Sequence, residues 1–156
     1  RMAEMYLNLA EILIELDALE NTTGRLEEAK GLIDKIRVRA GIPTIDEAWK
    51  KANHPEKANT AEGLREIVRR ERQIEFYLEN QRFWDLRRWK DAMTEENQLL
   101  QGCNINISDD ETRIADFYKQ TIITSVHKVF EQKMYLWPFP TYELKRNVNM
   151  TQNPEW

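Results

Sequence analysis

The chain has 156 residues, 41% hydrophobic, 10% aromatic and 32% charged, with a net charge of −4. That length suits one domain with a real core, and the composition excludes disordered and collagen-like classes. The negative balance gives no pull toward nucleic acid, and no apolar run nears the ~20 residues of a membrane helix. Cys103 is alone, so it forms neither an internal disulfide nor a CxxC metal site.

The chain opens at Arg1 inside a helical pattern, without a signal peptide, and so reads as a fragment or a processed piece. Periodicity predicts a first helix over about Met2 to Glu20. One face carries Met2, Met5, Tyr6, Leu9, Ile12, Leu13 and Leu16. A second carries Ala3, Leu7, Ala10, Ile14 and Ala18, and only Glu4, Asn8, Glu11 and Glu15 form a polar wedge. A helix apolar on both sides wants neighbours on both sides. Leu7, Ile14 and Ala18 are expected on the face left uncovered within the chain.

Asn21 to Gly24 is a turn, and Thr23 or Gly24 is the expected cap of a second helix with Glu27 and Glu28 in its first turn. Leu26, Ala29, Ile33, Ile36 and Ala40 make its stripe; Gly41 and Pro43 stop it. The pair has the dimensions of a tetratricopeptide-like hairpin. Thr44 to Glu47 fits a capping box, and Ile45, Ala48, Trp49 and Ala52 then share a face. Trp49 is expected to lid the helical core; the sharper reading makes it a sugar-stacking platform.

Asn59 and Thr60 open a third helix, about Ala61 to Glu79, with Leu64, Ile67, Val68, Ile74 and Leu78 inward. Asn80-Gln81 breaks it, and a fourth helix follows through Trp89. Beyond Lys90 the regularity fades: Thr94 to Arg113 is a polar excursion, and eight of the fifteen aromatics follow from Phe117 onward. Thr121–Thr124 and Lys128–Phe130 have strand character, while Pro138 and Pro140 enforce an extended path. The expected fold is mainly α: tetratricopeptide-like antiparallel helix pairs with an irregular aromatic- and Pro-rich C-terminal segment. It reads as a single domain over 1–156, with helix pairs in 1–93 and excursion and tail in 94–156.

Catalytic signatures are missing from the sequence: no GxSxG, HExxH, Walker loop or paired CxxC occurs. His54 and His127 have no spaced ligands, and Ser108-Asp109-Asp110-Glu111 lacks the alternation and turn glycine of an EF-hand. No catalytic, cofactor-binding or metal residue is therefore assigned. The arginines between Arg65 and Arg88 alternate with Glu66, Glu71, Glu75, Glu79 and Asp85 at three- and four-residue offsets, the pattern of helix salt bridges rather than a phosphate stripe. Trp84 and Arg88 are spaced for cation–π stacking.

Glu71 lies near the centre of the inward face of the third helix. A carboxylate there loses several kcal/mol of hydration unless it is paired. The available cations are Arg82 and Arg88 on the next helix and Arg37 beside the stripe of the second. A structural Glu71–Arg bond pinning the helix pairs in register is the expectation.

Three segments together resemble the SusD/RagB family. Tyr6–Pro43 (YLNLAEIL…AKGLIDKIRVRAGIP) resembles a helix pair ending in Arg-x-Arg-Ala-Gly, Glu71–Trp89 (ERQIEFYLENQRFWDLRRW) resembles the ER..E…E..RF.DL.RW pattern, and Tyr135–Trp156 resembles the closing Pro-x-Pro and Gln-Asn-Pro-Gly-Tyr segment. Asn80 stands where the family usually has glycine, and Glu155-Trp156 replaces Gly-Tyr. The resemblance implies the C-terminal part of a longer, non-catalytic nutrient- or glycan-binding protein. By resemblance it is lipid-anchored on the cell surface of the outer membrane and docks on a SusC-like TonB-dependent transporter. The lipid and most glycan-contacting residues would lie upstream, so the isolated chain is expected to bind soluble glycans more weakly than about 1 mM. Tighter binding would implicate Trp49. The alternatives are a helical-repeat scaffold for protein partners and a hydrolase with carboxylates on a helical toroid. The sequence names no nutrient.

Overall fold

The structure is a computed structural model that describes residues 1–104 and 114–156. The acidic stretch Ser108-Asp109-Asp110-Glu111 lies outside the described residues. The described part is mainly helical and divides into two units, Arg1–Arg82 and Phe83–Trp156.

In the first unit, α1 (Met2–Glu20) and α2 (Leu26–Arg39) form an antiparallel hairpin, and α1 also packs on α4 (Ala61–Glu75). The turn between α1 and α2 is built around Asp17, whose side chain is fully buried. Its carboxylate accepts from the Thr22 hydroxyl at 2.7 Å, the Arg25 backbone N–H at 2.7 Å and the Arg25 guanidinium at 2.9 Å. Asp17 thus ties Arg25, the N-cap residue of α2, to the end of α1, and neither Thr23 nor Gly24 is the cap as the sequence suggested. Asn21 takes the left-handed conformation at φ 52° that ends α1.

The two faces of α1 are occupied in the reverse of the expected order. Ala3, Leu7, Ala10 and Ile14 are buried against α2 and α4, while Met2, Met5, Leu9, Ile12 and Leu16 are exposed. The reason is size. Small residues at Ala3 and Ala10 let two helices approach that face closely, whereas the Met- and Leu-bearing face is too bulky to enter the same groove.

Gly41, at φ 72°, lets the chain reverse after α2. The capping box of α3 (Ile45–Lys51) forms as the sequence implies, with Thr44 Oγ1 accepting from the Glu47 N–H and Glu47 Oε2 from the Thr44 N–H. A 3₁₀ turn, Pro55–Asn59, then lies against the first turn of α4. Gly63 permits that approach, because a Cβ there would collide with the Lys57 backbone. Helix α4 ends at Glu75, one turn earlier than the periodicity predicts. Phe76 leaves the helix to fill the core, under the guanidinium of Arg72, so Ile74 and Leu78 point outward instead of inward. Asn80, in the turn after α4, adopts φ 64°, a left-handed conformation that its side chain tolerates.

In the second unit, α5 (Gln81–Arg88, which begins at the unit boundary) is followed by α6 (Ala92–Glu95), α7 (Ile114–Phe117) and α8 (Thr141–Arg146). A short antiparallel pair joins β1 (Gln101–Gly102) to β2 (Thr121–Ile122), with Gln101 opposite Ile122. Lys128–Phe130 is not a strand. Phe130 is buried with Leu86 and Ala92, and its backbone is held at both ends by the Asn97 amide, which accepts at 2.7 Å and donates at 2.9 Å. The closing segment interlocks in the same way. Gln152 exchanges two hydrogen bonds with the Phe139 backbone, at 2.8 and 3.0 Å, and Asn153 donates to the Trp137 carbonyl at 2.6 Å. Pro138 and Pro140 have no N–H to offer a ladder, so side-chain amides do the pairing there.

Candidate functional site: a trough beside α4

The arginines of the Arg-x-Arg-Ala-Gly segment meet the glutamates of the ER..E segment. Arg37 on α2 donates through Nη1 to Glu71 Oε1 and through Nε to the Pro43 carbonyl at 2.7 Å. Arg39 holds both oxygens of Glu75 at 2.7 Å, and Arg1 reaches Glu79 at 2.6 Å. On the other side of α4, Arg65 grips Glu15 in a fork at 2.6 and 2.7 Å, and Arg72 donates to Asn8 at 2.6 Å. The charges of α4 therefore cross to neighbouring helices, where the sequence pattern suggested pairs along one helix. The Arg65 bonds, outweighing partial burial, hold the Glu15 carboxyl below the usual range.

Above the Arg37–Glu71 pair lies an open cavity of about 280 Å³. Its walls are Trp49, Ala48 and Ala52 on the α3 side and Ile67 and Arg70 on α4; Arg37 and Glu71 belong to the same lining. Trp49 is half-buried against the core, with the Lys57 ammonium 4.8 Å from its ring centroid. It does lie against the helical core, and it also faces space. A second depression of about 330 Å³ is lined by Arg70, Gln73, Ile74 and Tyr77. The two hollows have Arg70 in common in their linings and are together called the trough along α4, with Trp49 in the first and Tyr77 in the second.

The trough offers aromatic surface and unspent hydrogen-bonding groups. The Arg37–Glu71 contact uses one oxygen of Glu71 and one Nη of Arg37, leaving Glu71 Oε2 and Arg37 Nη2 with no partner among the described residues. Arg70 donates to the Gln73 side chain at 3.0 Å and has no acidic partner among the described residues. Of the other cations considered for Glu71, Arg88 binds Asp85 at 2.9 Å and lies over the Trp89 ring instead of Trp84. Arg82 is half-buried at the start of α5. Reading the sequence singled out Trp49 and the Glu71–Arg37 combination but missed Arg70 and Tyr77. Arg70 was submerged in a run of charges, and its lack of an acid shows only once its neighbours are seen paired. No group of three or more His, Cys, Asp or Glu side chains is placed to hold a metal among the described residues.

The architecture is a helical hairpin packed on a third helix by cross-helix ion pairs, followed along the chain by an amide-clamped Pro-rich tail. The SusD family model matches residues 1–156, and the chain belongs to that family. A SusD-like protein from Bacteroides fragilis is 32% identical, with a TM-score of 0.72 over 99% of this chain and 25% of its own. A second solved structure, named BT4246, is 32% identical with a TM-score of 0.70, covering 99% of this chain and 23% of its own. The chain thus spans about a quarter of the length of these structures. Comparison with curated proteins gives no match.

Proposed function

We propose that the chain is the C-terminal part of a non-catalytic, nutrient-binding component of an outer-membrane uptake system, which docks on a SusC-like TonB-dependent transporter and holds a glycan or similar nutrient for it. The observation that carries the reading is the family match over the whole of residues 1–156. The architecture agrees: the site has stacking surface and fixed donors and acceptors, which serve retention of a polar, partly apolar ligand. No helix among the described residues is long and apolar enough to cross a membrane. Attachment to the cell surface through an N-terminal lipid is part of the same proposal. The competing reading, a helical-repeat scaffold that binds only proteins, draws support from the exposed apolar face of α1.

Affinity purification of the intact protein from detergent-solubilised outer membranes separates the two. The expected result is co-elution of a TonB-dependent β-barrel, identified by mass spectrometry, together with retention of the complex on a glycan resin. Recovery with soluble proteins alone, and no retention on any glycan, would favour the scaffold.

A further inference from the structure

We propose that the trough between Trp49 and Tyr77 is a saccharide-binding site selective for sugars that carry a carboxylate, such as uronic-acid oligomers. The proposal rests on the nutrient-binding reading for the class of ligand; the place and the charge preference come from the geometry.

The first argument is the pairing of charges in the first unit. Arg1, Arg25, Arg37, Arg39, Arg65 and Arg72 each contact a carboxylate. Lys57, beside Trp49, is bonded to Glu66, which removes the carboxylate one turn before Arg70. Arg70 sits in the wall shared by both hollows with only the neutral Gln73 amide against it. Arg37 has the Glu71 carboxylate in contact and the Asp34 carboxylate nearby, whereas Arg70, in the same lining, has no acidic partner among the described residues. A guanidinium with its fork free is matched in shape and charge by a carboxylate on the ligand.

The second argument is the distribution of apolar surface. Trp49 at one end and Tyr77 at the other are aromatic, Tyr77 is 75% exposed, and Ile67 and the Ala48 and Ala52 methyls complete an apolar lining. A sugar ring has an apolar C–H face that packs on such rings and an equatorial rim of hydroxyls that needs planar polar partners. Glu71 Oε2 and Arg37 Nη2, held in place by their mutual bond and by the Pro43 carbonyl, are partners of that kind. Because that pair is fixed before ligand arrives, little side-chain ordering is left for binding to supply. A peptide adding as a strand would need an exposed sheet edge, and no strand lines either hollow. Two hollows that share Arg70 as a lining residue offer room for more than one sugar ring.

The test is calorimetric titration of the intact protein with trigalacturonate and, in parallel, with the neutral trisaccharide maltotriose. The variants are Arg70→Gln and Tyr77→Ala, both at exposed positions where folding is not at stake, with Trp49→Ala as a third and circular dichroism confirming the fold. Trigalacturonate is expected to bind tighter than about 1 mM, at least tenfold tighter than maltotriose. Arg70→Gln should erase that preference, Tyr77→Ala should weaken trigalacturonate severalfold, and added salt should weaken the acidic sugar alone. Equal binding of both sugars, or acidic binding untouched by Arg70→Gln and Tyr77→Ala, overturns the proposal while leaving the nutrient-binding reading intact. Failure to bind any saccharide, acidic or neutral, on a wider panel overturns both.

Discussion

Asp17 and Asp34, one at the end of α1 and one in the middle of α2, respond to pH in opposite senses. Burial pushes the Asp17 carboxyl up, but the Thr22 hydroxyl, the Arg25 N–H and the Arg25 guanidinium outweigh it and hold it below the usual range. A carboxyl that is more acidic in the folded chain contributes stability above its unfolded pKa and loses it as pH falls through the folded value. For Asp34, burial outweighs the Ile45 N–H and Arg37 and raises the carboxyl. Its unfolded form releases the proton first, so stability is lost as pH rises through the carboxylate range. Asp17→Asn should therefore flatten the fall of stability in acid, and Asp34→Asn should stabilise at neutral pH with no gain at about pH 3. Urea unfolding across that range measures both. An Asp34→Asn chain that is less stable at neutral pH would reverse the assignment. At the Arg37–Glu71 pair, both side chains keep about a tenth of their surface in solvent, 13% and 11%. Arg37→Met should cost about 3 kcal/mol, the lower end for a buried pair losing one partner, because Glu71 is left without its cation. A change within experimental error in a thermal or urea midpoint would show that solvent already screens the contact.

Among the elements, the first turn of α4 depends on one absent side chain. Gly63 lets the 3₁₀ turn Pro55–Asn59 close on the helix, which also brings Lys57 beside Trp49. Gly63→Ala should cost about 1–3 kcal/mol by overpacking and should shift the fluorescence of Trp49, readable in a variant that retains that tryptophan alone. The same mutant with full stability and unchanged emission would mean that the turn is free to move. Elements of this kind explain how far the sequence could be read. Helix α1 was legible to the residue and α2 to within a residue or two of its start, because their periodicity, turn and Gly-Pro stop agree. The end of α4 was not, because Ile74 and Leu78 keep the helical spacing while Phe76, between them, wins the core position. Which face of α1 would be covered was also hidden, since both faces are apolar and only the fit of Ala3 and Ala10 to neighbouring helices decides. Half of the candidate site was visible, Trp49 from its capping-box helix and Glu71 from its place on the helical wheel. Arg70 and Tyr77 were not, because their role depends on which neighbours are already paired.

For the whole molecule, the exposed face of α1 is an extended apolar surface of the first unit. Met2, Met5, Leu9, Ile12, Leu16 and Leu19 follow a three-four-three-four-three spacing and are from 37% to 79% exposed. That is the spacing of a helix–helix seam. The 156-residue chain alone should associate as its concentration rises, and the double substitution Leu9→Lys, Ile12→Lys should return it to a monomer in sedimentation equilibrium. A wild-type chain that stays monomeric at high concentration would show that the seam is not adhesive in solution.

In the proposed function, the protein holds a nutrient without changing it. The most direct test is prolonged incubation of the intact protein with a saccharide it binds, followed by equilibrium dialysis and chromatography of the recovered sugar. Saturable retention with the saccharide returned at its original length is the predicted result. Shortened or otherwise altered sugar, scaling with protein and with time, would contradict it.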